Sequence, residues 1–348
     1  MPISSLQEFF VQCHLTERCN LNCRHCYQTG SGAAELSLDE IRAMLSEITD
    51  MLAAWTEAYQ LKFASSLNVT GGEPFLRADL FEILGEMGVR GFAVYLLTNG
   101  TLVDAEKAAR LAALDVKGVQ VSIEGPAEIH DAIRGKGSFA AASKGIACLV
   151  NAGLIVTLNA TLSAVNADRF GEMIGICSSL GAQRLGFSRL VPSGRGAAFV
   201  DRMLKPEQVR AMYETIFSTP APGLEIVTGD PVASRMRAED GAGDDGSVAI
   251  GGCAAGISGL TILPDGTVVP CRRLPVPLGN VRQDSLREIW ANSEILEKLR
   301  DRDQYEGKCG SCRRWANCRG CRAIAYAFSL ARGEADLLAD DPQCCIGH

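Results

Sequence analysis

The chain has 348 residues, 47% hydrophobic and 22% charged, a composition that fits about two folded domains and excludes a disordered segment or a disulfide-stapled miniprotein. A net charge of −7 denies the surface the positive field that non-specific nucleic-acid binding needs, so no nucleic-acid partner is expected. The segment Met1-Pro2-Ile3-Ser4-Ser5 has no leader pattern, and no apolar run approaches the roughly 18 residues that span a bilayer, so the expectation is a cytoplasmic protein with no membrane partner.

In chain order, extended apolar runs predict strands over Phe10–Thr16, Leu67–Thr70, Ala93–Thr98, Gly118–Ile123, Ile155–Thr161 and Arg184–Leu190. Amphipathic stretches between them predict helices. The clearest is Leu38–Gln60, where Ser37 and Glu40 form a capping box ahead of Ile41, Met44, Leu45, Ile48, Leu52 and Trp55. Others follow over Leu80–Met87, Ala105–Leu114, Ser138–Ala152, Asp168–Leu180 and Pro206–Phe217. Strand–helix alternation is the pattern of β/α units on a parallel sheet, and six units are too few for the eight-fold barrel. The expected fold is therefore α/β, a partial, open-sided (β/α)6 barrel over residues 1–220.

Residues 221–250 read as a linker or loop region because Thr219–Gly223 breaks the last helix and Glu239–Gly246 is rich in Gly and Asp. A second, cysteine-rich α+β domain is expected over 251–348. It contains a hairpin (Leu260–Leu263, a Pro264-Asp265-Gly266 turn, Thr267–Val269) and helices near Leu286–Leu299 and Arg322–Ala331.

Fourteen cysteines are too many for packing alone, and the expected reducing compartment favours thiolate–metal chemistry over disulfides. Cys13, Cys148 and Cys177 stand alone in apolar segments and read as small buried hydrophobes. Cys19, Cys23 and Cys26 follow the first strand at its carboxyl end, where β/α barrels carry their chemistry. Three thiolates can hold three irons of a [4Fe–4S] cluster and leave the fourth open, whereas zinc in a structural site wants four ligands and no fourth is near. The side chain of His25, inside the triplet, is expected to point away from the loop centre.

With these residues the sequence resembles the radical S-adenosylmethionine (radical SAM) superfamily. In that family SAM chelates the open iron, and reductive cleavage gives a 5′-deoxyadenosyl radical. Tyr27 fits the aromatic residue after the triplet. Thr70-Gly71-Gly72-Glu73-Pro74, closing the second strand, matches the motif that meets the SAM amino group: the two glycines permit close backbone approach and Glu73 is an anionic acceptor. By the same resemblance Asn99 ends the third strand, and Ser122 and Arg134 hold the SAM carboxylate, to which a guanidinium fork is suited. Asn159 meets the ribose, and Leu190 with Val191-Pro192 lines the adenine.

The C-terminal cysteines are Cys253, Cys271, Cys309, Cys312, Cys318, Cys321, Cys344 and Cys345. Two CxxC pairs alone leave a zinc ribbon open, but seven or eight thiolates match two iron–sulfur clusters better. The region resembles the SPASM extension, which implies an inner auxiliary cluster on Cys253, Cys271 and Cys321 and an outer one on Cys309, Cys312, Cys318 and either Cys344 or Cys345. Three [4Fe–4S] clusters and SAM are then the expected cofactors. The Cys318-x2-Cys321 spacing departs from the commoner x3, and no further cysteine follows Cys253 closely, so an open iron on the inner cluster stays an alternative.

SPASM enzymes are mostly peptide maturases, which implies a ribosomally made precursor peptide as substrate, with a separate peptide-binding carrier protein and a flavodoxin- or ferredoxin-type reductant as partners. Arg272 and Arg273 follow Cys271 where sulfatase-maturing enzymes carry an acid, which weighs against that activity; they read here as surface residues, with contact to an acidic peptide as the alternative. The tail from Cys318 to Cys344 also resembles enzymes of alternative haem and haem d1 synthesis, whose substrate is a tetrapyrrole. A non-catalytic iron–sulfur electron carrier or scaffold would explain the cysteines but leaves Gly71–Pro74 without a purpose.

Overall fold

Strand residues alternate between two faces, and here one face is aliphatic and the other polar. Val11, Leu67, Val69, Val94, Leu96, Val119, Val121, Val156 and Leu158 are buried against the helices, while Gln12, His14, Asn68, Gln120, Ser122, Thr157 and Asn159 occupy the alternate positions. That alternation wraps a sheet around a polar lumen with a helical jacket outside. The computed structural model describes residues 7–28, 32, 34–237, 248–249 and 251–346.

The strands are β1 (Gln7–His14), β2 (Phe63–Thr70), β3 (Ala93–Thr98), β4 (Gly118–Ser122), β5 (Val156–Leu162), β6 (Arg184–Arg189), β7 (Glu225–Val227), β8 (Gly259–Ile262), β9 (Thr267–Val269) and β10 (Gly279–Asn280). They form one sheet in the order β10-β9-β8-β1-β2-β3-β4-β5-β6-β7, parallel from β8 through β7 and antiparallel over β8-β9-β10. The partial barrel is as expected. The hairpin of the cysteine-rich segment extends the same sheet, since Phe10–Cys13 pairs with Gly259–Ile262. Gly259 sits where an added Cβ would stand 2.4 Å from the Phe10 carbonyl.

The helices are α1 (Leu38–Tyr59), α2 (Leu80–Val89), α3 (Ala105–Ala113), α4 (Ala127–Arg134), α5 (Ser138–Asn151), α6 (Glu172–Leu180), α7 (Pro206–Ser218), α8 (Pro231–Arg237), α9 (Leu286–Asn292), α10 (Glu294–Arg300), α11 (Gly307–Ser311) and α12 (Arg322–Leu330). The capping box of α1 forms as the sequence demands, with Ser37 accepting from Glu40 N and Glu40 accepting from Ser37 N. Cys13 and Cys177 are buried and Cys148 packs half-buried on the same core.

Four expectations need correction. The segment after β4, for which no element was expected, is a helix, α4. Helix 168–180 begins as a separate 3-10 turn, Ala167–Arg169, before α6. The expected Leu286–Leu299 helix breaks at Ser293, whose side chain accepts from Leu296 N and so restarts the chain as α10. Residues 221–237 are not merely linker: β7 extends the sheet and Asp230 is buried ahead of α8. The Gly- and Asp-rich stretch 239–246 lies outside the described residues.

Candidate functional site

The carboxyl ends of the strands open on a cavity of about 500 Å³. Eleven of the sequence-derived residues line it together: Cys19, Cys23, Cys26, Tyr27, Gly71, Gly72, Asn99, Ser122, Arg134, Asn159 and Leu190. Strand register accounts for part of this convergence, because Ser122 is the direct partner of Asn159 and His14 of Thr70.

The Cys19–Cys26 loop is braced from below by the β2 loop. Gly72 N donates to the Thr16 carbonyl at 2.7 Å and Glu73 N to the Arg18 carbonyl at 2.8 Å. A Cβ on Gly72 would stand 2.2 Å from Arg18 O, so glycine is required for the two loops to touch, whatever ligand they serve. Glu73 is fully buried and does not line the cavity. Its Oε1 accepts from Thr98 Oγ1 at 2.8 Å and Phe75 N at 3.3 Å, its Oε2 from Asn99 N at 2.8 Å. Burial pushes its carboxyl up to about 7 against the pull of these donors. The motif's contribution to the cavity wall is the backbone of Thr70, Gly71 and Gly72; Glu73 ties β2 to β3.

The loop is closed from above by the segment after β6. Gly196 N donates to Cys26 O at 2.9 Å and Arg195 Nε to Cys23 O at 3.1 Å. Gly194, at φ 56°, lets the segment lie on Tyr27, where a Cβ would stand 2.4 Å from the carbonyl. Sequence reading missed this contact; the Gly-Arg-Gly run at 194–196 is the signal that could have found it.

The residue the motifs missed is Glu124. It is fully buried, and its Oε1 accepts from Arg134 Nη2 (2.6 Å) and Nε (2.9 Å) and faces His25 Nε2 at 3.0 Å; its Oε2 accepts from Thr161 N at 2.8 Å. Burial alone would push this carboxyl up, but Arg134 and His25 hold it well below the usual range. Its hold leaves Arg134 Nη1 free to reach 3.8 Å from Cys23 Sγ. His25 sits in the cavity wall, held there by the buried Glu124 carboxylate at the β4 end.

Donors surround the triplet sulfurs: Leu21 N is 3.4 Å and Asn99 Nδ2 3.9 Å from Cys19 Sγ. Burial pushes the Cys19 and Cys23 thiols up, and neighbouring thiols of the triplet add to it. Among the described residues no three His, Cys, Asp or Glu side chains converge as tightly as one ion requires.

The C-terminal cysteines separate into two groups by packing. Cys253, Cys271 and Cys321 share one apolar cluster with Val191, Leu274 and Leu299, and Cys309 lies in another with Tyr305 and Trp315. Burial pushes Cys318 up to about 12, and the neighbouring Cys344 and Cys309 thiols push the same way. Cys345 instead packs in the main core, with Met236 Sδ 3.6 Å from its sulfur. The tight turn Cys271–Leu274 carries Arg272 and Arg273 into the cavity wall rather than to the surface. Arg273 donates to Arg189 O at 3.1 Å, and Arg272 lies 5.9 Å from the Tyr27 ring centre. The cavity thus has walls from both the barrel and the cysteine-rich segment.

A lumen-end cavity built on a three-cysteine loop, with two further cysteine groups behind it, defines an iron–sulfur enzyme of the radical SAM class. Residues 14–175 match the radical SAM superfamily and residues 253–322 match SPASM, an iron–sulfur cluster-binding domain. The AdoMet-dependent heme synthase of Methanosarcina barkeri is 34% identical over 95% of this chain and 94% of its own length. Mycofactocin maturase MftC of Mycolicibacterium smegmatis is 32% identical over 96% of this chain and 81% of its own. A solved structure, native anSMEcpe with bound AdoMet and a peptide, superposes with a TM-score of 0.70 at 17% identity, covering 97% of this chain and 94% of that one, a likeness of fold. The chain belongs to the radical SAM superfamily and carries a SPASM domain; it is an enzyme whose cofactors are [4Fe–4S] clusters and SAM. Among the described residues no helix is long and apolar enough to cross a membrane.

Proposed function

We propose that the chain is a peptide maturase that modifies a residue of a ribosomally made precursor. The observation carrying this reading is the single cavity shared by the triplet cysteines and the Cys271–Leu274 turn, which lets a substrate lie between the barrel and the SPASM domain. The relatives named as maturases support it.

Cys19, Cys23 and Cys26 would hold the primary cluster, with the Thr70–Gly72 backbone, Asn99, Ser122, Arg134, Asn159, Tyr27 and Leu190 around SAM. The chemistry that the cluster and SAM supply when bound is reductive cleavage of the sulfonium to a 5′-deoxyadenosyl radical. The chain's own part is positional. Glu124 aims Arg134, Glu73 fixes the Thr98–Asn99 corner, and the Arg195 loop ties down the Cys23–Cys26 half of the cysteine loop. Cys253, Cys271 and Cys321 are the inner auxiliary ligands, and Cys309, Cys312, Cys318 and Cys344, rather than Cys345, the outer. A peptide-binding carrier protein and a flavodoxin- or ferredoxin-type reductant are the proposed partners.

A tetrapyrrole substrate is the second reading, favoured by Arg195, Arg272 and Arg273 in the cavity, which suit propionates, and by the heme synthase relatives. The deciding experiment incubates the anaerobically reconstituted chain with SAM, a strong reductant, and either short peptides encoded beside its gene or a propionate-bearing tetrapyrrole. A mass change in a peptide, coupled to 5′-deoxyadenosine, supports maturation. Turnover of the tetrapyrrole alone overturns it.

A further inference from the structure

A buried cation normally has a carboxylate beside it, and Arg189 does: it pairs with Asp230 and Asp341. Two other arginines with almost no exposure do not. Arg322, opening α12 at 0% exposure, donates through Nη1 to Ala339 O at 2.8 Å and through Nη2 to Cys309 Sγ at 3.6 Å. Its guanidinium lies 5.2 Å from the Tyr305 ring centre, and its Nε has no partner. Arg319, 2% exposed, donates to four carbonyls, Ala316 at 2.9 Å, Gly251 at 2.6 Å, Cys253 at 2.7 Å and Trp315 at 3.5 Å. It does so from φ 60°, a left-handed conformation that an arginine keeps only where its surroundings hold it there.

Neither arginine forms an ion pair with a carboxylate among the described residues, and nearby Asp341 is engaged by Arg189 and by Cys321 N. A guanidinium stripped of water and offered neutral acceptors is strongly disfavoured. Their neighbours are the cysteine segments: Arg322 reaches the Cys309 sulfur of the outer group, and Arg319, standing in sequence between Cys318 and Cys321, clasps the backbone carbonyl of Cys253 of the inner group. Thiolates holding iron carry the negative charge that is otherwise missing.

We propose that Arg319 and Arg322 are the built-in counter-charges of the two auxiliary iron–sulfur sites, and that Arg322 sets the reduction potential of the outer one. This rests on the two-cluster reading of the SPASM domain. Reduction adds one electron to a cluster, and a fixed cation that also donates to a ligand sulfur favours the reduced form, so the potential rises. An arginine that merely fills space would not have this effect.

The test uses the full-length C19A/C23A/C26A protein, reconstituted anaerobically, so that only auxiliary clusters report. Its iron content should be about eight per chain; a parent protein with none overturns the two-cluster reading and this inference with it. Given that content, EPR-monitored redox titration should show one of two midpoints shifted negative in R322M and near its parental value in R322K. If R322M instead loses about four irons while R322K keeps them, charge is needed for assembly and the proposal stands. Parental midpoints in fully loaded R322M, or equal iron loss in R322M and R322K, would overturn it.

Discussion

Replacing Arg189 by methionine tests how the barrel holds the cysteine-rich domain. Arg189 ends β6 at 0% exposure and donates Nε and Nη2 to Asp230 at 2.7 and 3.2 Å, and Nη1 and Nη2 to Asp341 at 3.0 and 2.8 Å. Asp341 in turn accepts from Cys321 N at 2.8 Å and from Gln343 N at 2.9 Å, so this one cation orients both the inner cysteine group and the tail that carries Cys344. Methionine fills similar volume and leaves two buried carboxylates facing each other. Breaking a buried pair costs about 3–5 kcal/mol, and at roughly 1.4 °C per kcal/mol for a chain of 348 residues, the melting temperature should fall by about 4–7 °C. R189K keeps the charge without the fork and should fall between. Calorimetry on the anaerobically reconstituted protein measures the shift, and limited proteolysis should cut the tail faster. A change under about 2 °C with the tail still protected would refute the argument that this network joins the two parts.

Arg134→Ala should lower SAM affinity roughly ten- to a hundred-fold by isothermal titration. It should also lower the melting temperature, because Glu124 is left buried without its principal cation; unchanged values of both would remove Arg134 from the site. Burial, with Arg272 adding, pushes His14 down to about 3 from 6.5, so the folded chain resists a proton that the unfolded chain accepts. The stability this contributes is complete above about pH 6.5 and is lost as pH falls toward the folded value, about 2 kcal/mol of it by pH 5. H14Q should flatten that slope in urea titrations at several pH values, and an unchanged slope would refute the assignment. Cys344→Ser should lose about four irons per chain, while Cys345→Ala, which only vacates the packing against Met236, should keep its iron; the reverse pattern would exchange the two roles.

Strand and helix identities over most of the barrel were legible in the sequence because alternation and the Ser37–Glu40 cap are local signals. The cysteine triplet and the Thr70–Pro74 motif were legible for the same reason: their chemistry lies in spacing along one short segment. The short elements β7 and α8, too brief to show a period, were not, and neither was α4. Tertiary structure alone decided what faces what. A local pattern cannot reveal that a carboxylate at position 124 gathers Arg134 and His25, because the partners are joined by strand register and burial rather than by sequence. Nor can it reveal that Glu73 lies beneath the cavity, or that Arg272 and Arg273 turn inward on the Cys271–Leu274 corner. Cys344 and Cys345 are adjacent and chemically identical. Only the direction of the backbone, pinned by Asp341 on Arg189, packs the Cys345 sulfur into the aliphatic core and leaves that of Cys344 outside it.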